Sequence, residues 1–469
     1  MIPENRDGDR AGRPGAARPR AMAVAAILAG AAMLVWPALL NGYPLVFSDT
    51  GGFLHQTLGP LMLWDKPWIY GPLLHAVHWR VSLWLPLAAQ GLLLSHLLWL
   101  TQRVLRGGAA PGLHLGVCFA AAVLTGAPFT IAMLMPDLFA PVVVLALFLL
   151  GPGRDGLNGA EVIWLLLLGS VAIAAHLSHL PLAVAMVAAA FLAGLPRGRA
   201  IADAARAALP LAAAVALLLA TNAVGHGRAV LSPHGATFML ARLQADGPAA
   251  AVIRDRCPAA GWYLCAFADQ LPMDANDFLW SPDSPLNRDA EGRPRFLGGA
   301  LLSAEAGQIV AETLRAHPFA VMATMLRNTL RQLVTVGVGD TLGAEHLAVA
   351  LRPRLVEGFP PREAAAFDAG LQARGRLDGA VAWLAPVQAA VLMMAVPLLG
   401  LAGWCAWRAG DGVALAFLAF VLAGVLANAA ATGGLSGVFP RYQARIAWLL
   451  PVAALLVLAV PSPSSRRRA

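Results

Sequence analysis

The residues best suited to chemistry begin just after the first long apolar run. Asp49 lies among glycines and aromatic residues in the segment 41–54, NGYPLVFSDTGGFL. A carboxylate so close to a membrane-length run loses hydration energy unless it has a partner or a task. Asp49 is therefore our candidate catalytic residue. The structural alternative is that it serves as the N-cap of a short helix beginning there.

A second charged group follows in the segment 64–72, WDKPWIYGP. Lys66 is the only lysine in a chain with 34 Lys and Arg residues. A lysine is a compact charge that can approach a phosphate oxygen, and neighbouring aromatic rings can pack on a sugar or an isoprenoid chain. An interfacial anchor is the alternative, because Trp, Tyr and Lys are common at the level of lipid headgroups.

Two arginines lie four residues apart in the segment 439–445, FPRYQAR. This spacing puts Arg441 and Arg445 on one face of a helix. Guanidinium groups bind phosphate through two parallel hydrogen bonds, so the pair is a candidate phosphate site. Snorkelling of both side chains to lipid headgroups is the alternative.

One more aspartate and two histidine pairs border apolar runs. Asp137 opens a run, either as a helix cap or facing the same cavity as Asp49. The pairs His75 with His78 and His176 with His179 have i,i+3 helical spacing. A metal site needs a third ligand and supporting groups, so we predict no metal and no cofactor, with the histidines lining a cavity.

The elements that carry these residues are long apolar runs. Of the 469 residues, 58% are hydrophobic and 13% are charged, against about 25% charged in globular chains. This composition excludes a soluble enzyme and a disordered chain. About 20 apolar residues cross a bilayer, so we predict an all-α polytopic membrane protein with about ten transmembrane helices. Their approximate limits are 21–41, 80–101, 111–131, 138–151, 162–176, 180–195, 208–224, 381–404, 412–432 and 446–461, and the fifth and sixth could form one broken helix.

Arginine placement sets the predicted orientation. Short cytoplasmic loops collect positive charge, and alternate ends of the runs carry Arg6, Arg10, Arg13, Arg18, Arg20, Arg103, Arg106, Arg154, Arg197, Arg199, Arg206, Arg408 and Arg466 to Arg468. Both termini are therefore predicted to be cytoplasmic. We expect the bilayer as a partner and no nucleic acid, because the arginines behind the net charge of +8 do not cluster with aromatic residues on one soluble face.

The predicted domains follow from this topology. A disordered basic cytoplasmic tail (1–20) precedes an N-terminal transmembrane bundle (21–224), whose first outer loop is 42–79. An extracytoplasmic domain (225–380) lies between the seventh and eighth spans, and the C-terminal transmembrane helices (381–461) lead to a cytoplasmic tail (462–469).

Two features stand out within the predicted extracytoplasmic domain. An amphipathic helical pattern extends from about Glu305 to Leu333. Cys257 and Cys265 are eight positions apart in an exported region and predict a disulfide, with two free thiols as the alternative.

The chain resembles polytopic glycosyltransferases of the GT-C fold that use polyprenyl-phosphate sugars, and within them the protein O-mannosyltransferase and lipid A aminoarabinose transferase branch. Three motifs carry the resemblance: an acidic residue in the first outer loop, a (D/E)KPPLxYW-like stretch, and an RYxLPLxP-like entry to a late span. They are matched by Asp49, by 65–70 (DKPWIY), and loosely by Arg441-Tyr442 with 449–451 (LLP). Asp137 is a weaker fourth match.

The family pattern is incomplete here. Asp49 has no adjacent Glu, and Trp68 replaces the second proline. The resemblance covers roughly the first 150 residues and the last 30.

The resemblance implies transfer of a sugar from a polyprenyl-phosphate donor to an extracytoplasmic acceptor at the bacterial inner membrane. Asp49 would be the general base of an inverting displacement. Lys66 with Arg441 or Arg445 would bind the donor phosphate. Asp65 and Asp137 would orient these groups or the acceptor, and Tyr70 and Tyr442 would be further substrate-binding residues. A transporter or flippase and a non-catalytic scaffold for envelope polysaccharide assembly are the alternatives.

Overall fold

The computed structural model describes residues 17–59 and 62–459. These residues form helices and connecting turns, and none of them belongs to a β-strand. The predicted C-terminal tail and almost all of the predicted N-terminal tail fall outside the described residues.

The helices of the described chain are numbered in order. In the first half they are α1 (Ala17–Leu34), α2 (Trp36–Asn41), α3 (Ser48–Leu58), α4 (Tyr70–His78), α5 (Trp84–Arg106), α6 (Pro111–Leu124), α7 (Ala127–Ala132), α8 (Phe139–Leu150), α9 (Gly159–Ala174), α10 (His179–Gly194) and α11 (Ala200–His226). In the second half they are α12 (Gly235–Ala245), α13 (Pro248–Arg256), α14 (Ala275–Trp280), α15 (Gly298–Ala316), α16 (Pro318–Val334), α17 (Leu347–Ala350), α18 (Arg352–Gly358), α19 (Pro361–Ala369), α20 (Leu377–Val381), α21 (Leu384–Arg408), α22 (Gly412–Ala429), α23 (Pro440–Ala447) and α24 (Leu449–Leu458).

Six described helices are long and apolar enough to cross a membrane: Trp84–Arg106, His179–Arg197, Ala200–His226, Leu384–Arg408, Gly412–Gly434 and Pro440–Leu458. Four shorter apolar helices are Pro19–Leu34, Pro111–Leu124, Pro136–Leu150 and Gly159–Ala174. Each of the ten overlaps one predicted span. The all-α class of the prediction is confirmed, and six helices meet the length and composition needed to span a bilayer.

Helix breaks change the limits of two predicted spans. The run 21–41 breaks at Val35, between α1 and α2, where Pro37 enters the first turn of the second helix. The run 111–131 likewise breaks between α6 and α7, with Pro128 in the first turn that follows. Proline lacks the N–H that would continue the preceding helix, so it starts a new one.

Two other predicted limits are resolved by the structure. The region 162–195 forms two helices, α9 and α10, separated by a turn at 175–178. The last span begins at Pro440 instead of residue 446.

Arginines predicted to mark the cytoplasmic side meet acidic partners at one end of the bundle. Arg103, at the end of α5, donates two hydrogen bonds of 2.7 and 2.6 Å to Glu161 in the first turn of α9. Arg199, before α11, pairs with Asp155 in the loop after α8. At the opposite end of the bundle, Asp137 before α8 and Ser178 before α10 both contact Arg445.

The predicted extracytoplasmic domain 225–380 divides into two parts. The part from α12 to α16 has its own hydrophobic core, which includes Leu240, Ile253, Leu264 and Phe278. This core is separate from that of the bundle, as expected of a small folded unit.

The second part, 338–381, packs on the bundle instead. Leu351, Leu355 and Phe367 belong to the bundle core. The buried carboxylate of Glu363 accepts hydrogen bonds from Tyr43 Oη at 3.0 Å and from the Leu83 backbone N–H at 3.1 Å. This segment covers the loop 42–79, so the region 225–380 consists of one part with its own core and one part that shares the core of the bundle.

The two sequence features of this region have different outcomes. The amphipathic pattern from Glu305 to Leu333 forms two helices, α15 and α16, because Pro318 starts a new helix after His317. Cys257 and Cys265 are joined by a disulfide.

Candidate functional site

Backbone pairing brings the first outer loop to the start of α8. The Leu45 N–H donates to the Ala132 carbonyl at 3.1 Å, and the Leu134 N–H donates to the Leu45 carbonyl at 2.9 Å. Thr50 Oγ1 then donates to the Leu134 carbonyl at 3.0 Å. These bonds hold the first turn of α3 close to the loop that carries Asp137.

Asp49 occupies the first turn of α3 and is not its N-cap. Phe47 holds the N-cap position, and its N–H donates to Thr50 Oγ1 at 2.9 Å. The carboxylate of Asp49 instead pairs with Lys66, with Oδ1 3.1 Å from Nζ. The helix start also favours a negative side chain through its dipole. The capping alternative is therefore wrong, and Asp49 is part of an ion pair.

Lys66 lies between two carboxylates. It pairs with Asp49 and with its neighbour Asp65, and its side chain is only 13% exposed. Its ammonium group is also 5.8 Å from the ring centre of Phe53 and 5.7 Å from that of Trp280. Trp280 comes from α14, so the folded unit of the insert helps to enclose the lysine.

The charges of this cluster determine how its carboxylate and ammonium titrate. Burial alone would raise the pKa of Asp49, but the positive charges of Lys66 and Arg441 outweigh it and hold that pKa below its usual value. Burial would lower the pKa of Lys66, yet Asp49 and Asp65 raise it. Both groups are therefore charged at neutral pH.

Arg445 lies inside the bundle, with a relative exposure of 1%. Its Nη1 donates to Asp137 Oδ1 at 3.3 Å, its Nη2 to Ser178 Oγ at 2.9 Å, and its Nε to Asn428 Oδ1 at 3.0 Å. Snorkelling to headgroups is therefore wrong for Arg445. Each nitrogen of its guanidinium already donates to a side chain of the bundle, and its predicted contact with a phosphate stays a prediction.

Arg441 differs from Arg445 because one nitrogen of its guanidinium has no partner in the described part of the chain. Its guanidinium stacks on Phe47, 4.1 Å from the ring centre, and its Nη2 donates to Tyr442 Oη at 3.5 Å. Its Nη1 is buried and has no hydrogen-bond partner among the residues that the structure describes. A buried donor without a partner is costly, so this nitrogen is suited to an anionic ligand.

Arg441, Arg445 and Asp137 line one cleft together with Phe129, Thr130, Met133, Val338, Thr341 and Ala444. The cleft is narrow, with about 20 Å³ of free volume, which is about the space of one water molecule. Asp49 and Lys66 do not line it. They lie beside it, with Asp49 close enough to Arg441 for their charges to interact. The predicted residues therefore form two adjacent clusters.

The two tyrosines have different surroundings. Tyr442 lies between the arginines, with their guanidinium carbons 5.0 and 5.4 Å from its ring centre. Tyr70 is 1% exposed and donates its hydroxyl to Gln90 Oε1 at 2.9 Å. Its ring packs in the core and its hydroxyl already has a partner, and a role of Tyr70 in substrate binding stays a prediction.

Sequence reasoning missed three polar residues at the site. Asn428 and Ser178 hold the guanidinium of Arg445. Asp340 accepts a hydrogen bond from the Arg441 N–H at 3.3 Å, and burial raises its pKa. Asn428 had a usable signal, because an amide inside the apolar run 412–432 needs a partner. No sequence signal marked Asp340.

Three of the four histidines in the two pairs have a local partner for their Nδ1. His176 Nδ1 lies 2.8 Å from Ser178 Oγ, and His179 Nδ1 lies 2.7 Å from the Ala172 carbonyl oxygen. His78 Nδ1 accepts from the Arg80 N–H at 2.8 Å. In the described part of the chain, no group of three or more His, Cys, Asp or Glu side chains is arranged to hold a metal ion.

Comparison of the chain with known protein families, with curated proteins and with solved structures finds no match.

Proposed function

We propose that this protein is an integral membrane glycosyltransferase that moves a sugar from a polyprenyl-phosphate donor to an extracytoplasmic acceptor. The observation that carries the proposal is the unpartnered, buried Nη1 of Arg441 beside the Asp49–Lys66 ion pair. A phosphate ester needs donors and positive charge, and an acceptor hydroxyl needs a base. Arg441 and Lys66 would supply the donors and the positive charge, and Asp49 beside them would supply the base.

The donor phosphate would be held by Arg441 and Lys66. As the bond between the anomeric carbon and the phosphate oxygen breaks, negative charge grows on the leaving phosphate, and fixed cations stabilise it. Arg445 follows Arg441 by one turn of the same helix, α23, and anchors that helix in position. It does not contact the donor in this scheme. Asp65 and Asp137 orient Lys66 and Arg445 through their ion pairs.

Asp49 would take the proton of the acceptor hydroxyl as that oxygen attacks the anomeric carbon. In the free protein its pKa is held low by Lys66 and Arg441, which makes it a weak base. When a donor phosphate engages these cations, their effect on Asp49 falls and its pKa rises toward the range of a useful base. The scheme therefore couples donor binding to activation of the base.

The membrane arrangement belongs to the same proposal. The four shorter apolar helices would complete about ten spans, with the insert between the seventh and eighth and with the paired arginines Arg103 and Arg199 on the cytoplasmic side of a bacterial inner membrane. The site would then face outward, where a flipped lipid-linked donor presents its phosphate.

A non-catalytic scaffold is the second candidate, and two observations favour it. Lys66 and Arg445 are each paired with carboxylates, and the cleft is narrow. In a scaffold these pairs would only hold the outer ends of the helices together.

Donor binding tests the proposal directly. Decaprenyl phosphate would be titrated into the full chain in nanodiscs, with binding followed by native mass spectrometry. Arg441→Gln should weaken binding about tenfold or more, since a charged hydrogen bond contributes about 1.5–3 kcal/mol. Arg374→Gln, an exposed arginine of the insert, is the matched control and should bind as the wild type does. Equal binding by all three proteins would refute the role of Arg441.

Transfer is tested in cells. Lipid-linked glycans of a deletion strain would be compared after complementation with wild type or with Asp49→Asn. The proposal requires that the asparagine variant accumulates in the membrane and fails to restore the product. Full restoration would remove Asp49 as the base.

A further inference from the structure

Helix α16 exposes its apolar side. Phe319, Met322, Leu326, Leu330 and Val334 are 82, 64, 61, 56 and 83% exposed, respectively. At about 100° per residue, these five side chains fall within an arc of about 120° along the whole helix. They form a continuous surface, which we call the apolar stripe.

The opposite side of α16 is buried and largely polar. Asn328 and Gln332 are 1% and 0% exposed. Asn328 donates to both carboxylate oxygens of Asp246 at 3.2 and 3.0 Å. The helix is thus inverted relative to a surface helix in water, which buries apolar residues and exposes polar ones. An exposed side more apolar than the buried side is typical of a helix in contact with lipid.

The stripe adjoins a helix that can cross the membrane. α16 packs against Gly433 and Gly434, at the end of the candidate span Gly412–Gly434. A Cβ at Gly433 would lie 2.6 Å from the Asn328 carbonyl oxygen and 2.7 Å from Gln332 Cβ, so the helices touch through glycine. Since a span ends at the edge of the hydrocarbon layer, α16 lies at that level.

Positive charge borders the stripe. Arg327 and Arg331 follow Leu326 and Leu330 in the chain, which sets them at one edge of the apolar arc. Both are exposed, and the Arg327 side chain is 60% exposed and 4.0 Å from Asp246. Arginines at the border of an apolar face match the phosphate groups of a lipid leaflet.

We propose that α16 is an interfacial helix, with its apolar stripe inserted in the outer leaflet and with Arg327 and Arg331 at the level of the lipid phosphates. The helix is a second type of membrane contact, lying in the plane of the leaflet while the spans cross it. This inference uses no residue of the candidate site, and it takes from the proposed function only the orientation that makes this leaflet the outer one.

The leaflet contact is also connected to the site. Gln332 donates through Nε2 to the Phe439 carbonyl at 2.8 Å, and its Oε1 accepts from the Phe439 N–H at 3.0 Å. Phe439 is the N-cap of α23, two residues before Arg441. These two hydrogen bonds join α16 to the start of the helix that carries Arg441.

Spin labelling of the full chain tests the proposal. Nitroxides would be attached at Leu326→Cys and at Ala323→Cys, an exposed alanine that falls within the same arc of the helix as the stripe. The control is Asp283→Cys, a carboxylate position 81% exposed in the folded unit of the insert. All three would carry Cys405→Ala and would be reconstituted in phosphatidylethanolamine–phosphatidylglycerol vesicles. Collision rates with oxygen and with a neutral water-soluble nickel chelate would be measured.

Each outcome decides the question. Lipid contact gives several-fold higher collision with oxygen than with nickel at 323 and 326, and the reverse at 283. High nickel collision at the stripe would show a helix in water and overturn the proposal. Low collision with both probes would show that protein covers the stripe, such as a second copy of this chain, and would also overturn it.

Discussion

Single residues at the site differ in what remains free for a ligand. Arg445 donates through each of its nitrogens, whereas Arg441 keeps one buried donor free. The sequence presented the two arginines as equivalent, because spacing reports only that they share a helix face. Their difference arises from the elements around them, and it favours Arg441 over Arg445 as the phosphate ligand of the proposed function.

The lone lysine gives the first prediction. Lys66→Arg should lower transfer at least tenfold, because the longer planar guanidinium does not fit between Asp49 and Asp65 as a compact ammonium does. Turnover would be measured with purified protein and a lipid-linked donor. Arg354→Lys, at an exposed ion pair of the insert, should leave it unchanged. Unchanged turnover by Lys66→Arg would show that this position does not require a lysine, and the single lysine of an arginine-rich chain would then be a matter of chance.

The buried pair gives the second prediction. Asp137→Ala should destabilise the protein by about 3–5 kcal/mol, because it leaves the charge of Arg445 buried without its carboxylate. Unfolding by denaturant in detergent micelles would measure this. Asp283→Ala, which breaks an exposed pair with Arg288, should cost less than about 1 kcal/mol.

A double variant separates lost pairing from lost packing. Asp137→Ala combined with Arg445→Met should be less destabilised than the sum of the two single changes, since the unpaired charge is then gone. Additive losses would contradict the buried ion pair as the cause.

At the scale of elements, the sequence patterns located the apolar runs, but they did not predict which other parts of the chain each element contacts. The disulfide and the placement of Asp49 and Lys66 in one loop followed from composition and order. The break at Pro318, the packing of 338–381 on the bundle and the inversion of α16 did not follow. Each depends on which face of a helix meets another part of the chain, and an amphipathic pattern does not say which face is buried.

The contact between the first outer loop and the insert gives the third prediction. Trp64 stacks on Phe238 with ring centres 5.2 Å apart, and a Cβ at Gly299 would lie 2.3 Å from the Trp64 ring. Gly299→Val should therefore displace Trp64 and separate the insert from the loop. Limited proteolysis of the membrane-embedded protein should then cut the loop near residue 64 faster than in the wild type.

A control variant distinguishes this effect from general destabilisation. Gly379→Val changes a glycine whose Cβ would meet open space, and it should leave the proteolysis rate unchanged. Equal protection in Gly299→Val would show that the loop does not need this contact.

At the scale of the whole molecule, two sets of ion pairs lie at opposite ends of the helical bundle. The Arg103–Glu161 and Arg199–Asp155 pairs lie at one end, and the site lies at the other. This arrangement gives the fourth prediction, which concerns sidedness. In a Cys405→Ala background, Asp283→Cys should react with a membrane-impermeant maleimide in intact spheroplasts. Asp155→Cys should react only after permeabilisation, and the opposite pattern would reverse the proposed orientation.

Arg445 fixes the register of the last helix against its neighbours. Its side chain joins α23 to Asp137 before α8, to Ser178 before α10 and to Asn428 of α22. A helix sliding by one turn moves about 5.4 Å, which would break all three contacts at once and leave a buried charge unpaired. One side chain therefore ties the start of the last helix to three neighbouring segments, and the contacts favour a bundle whose helices keep their register at this end.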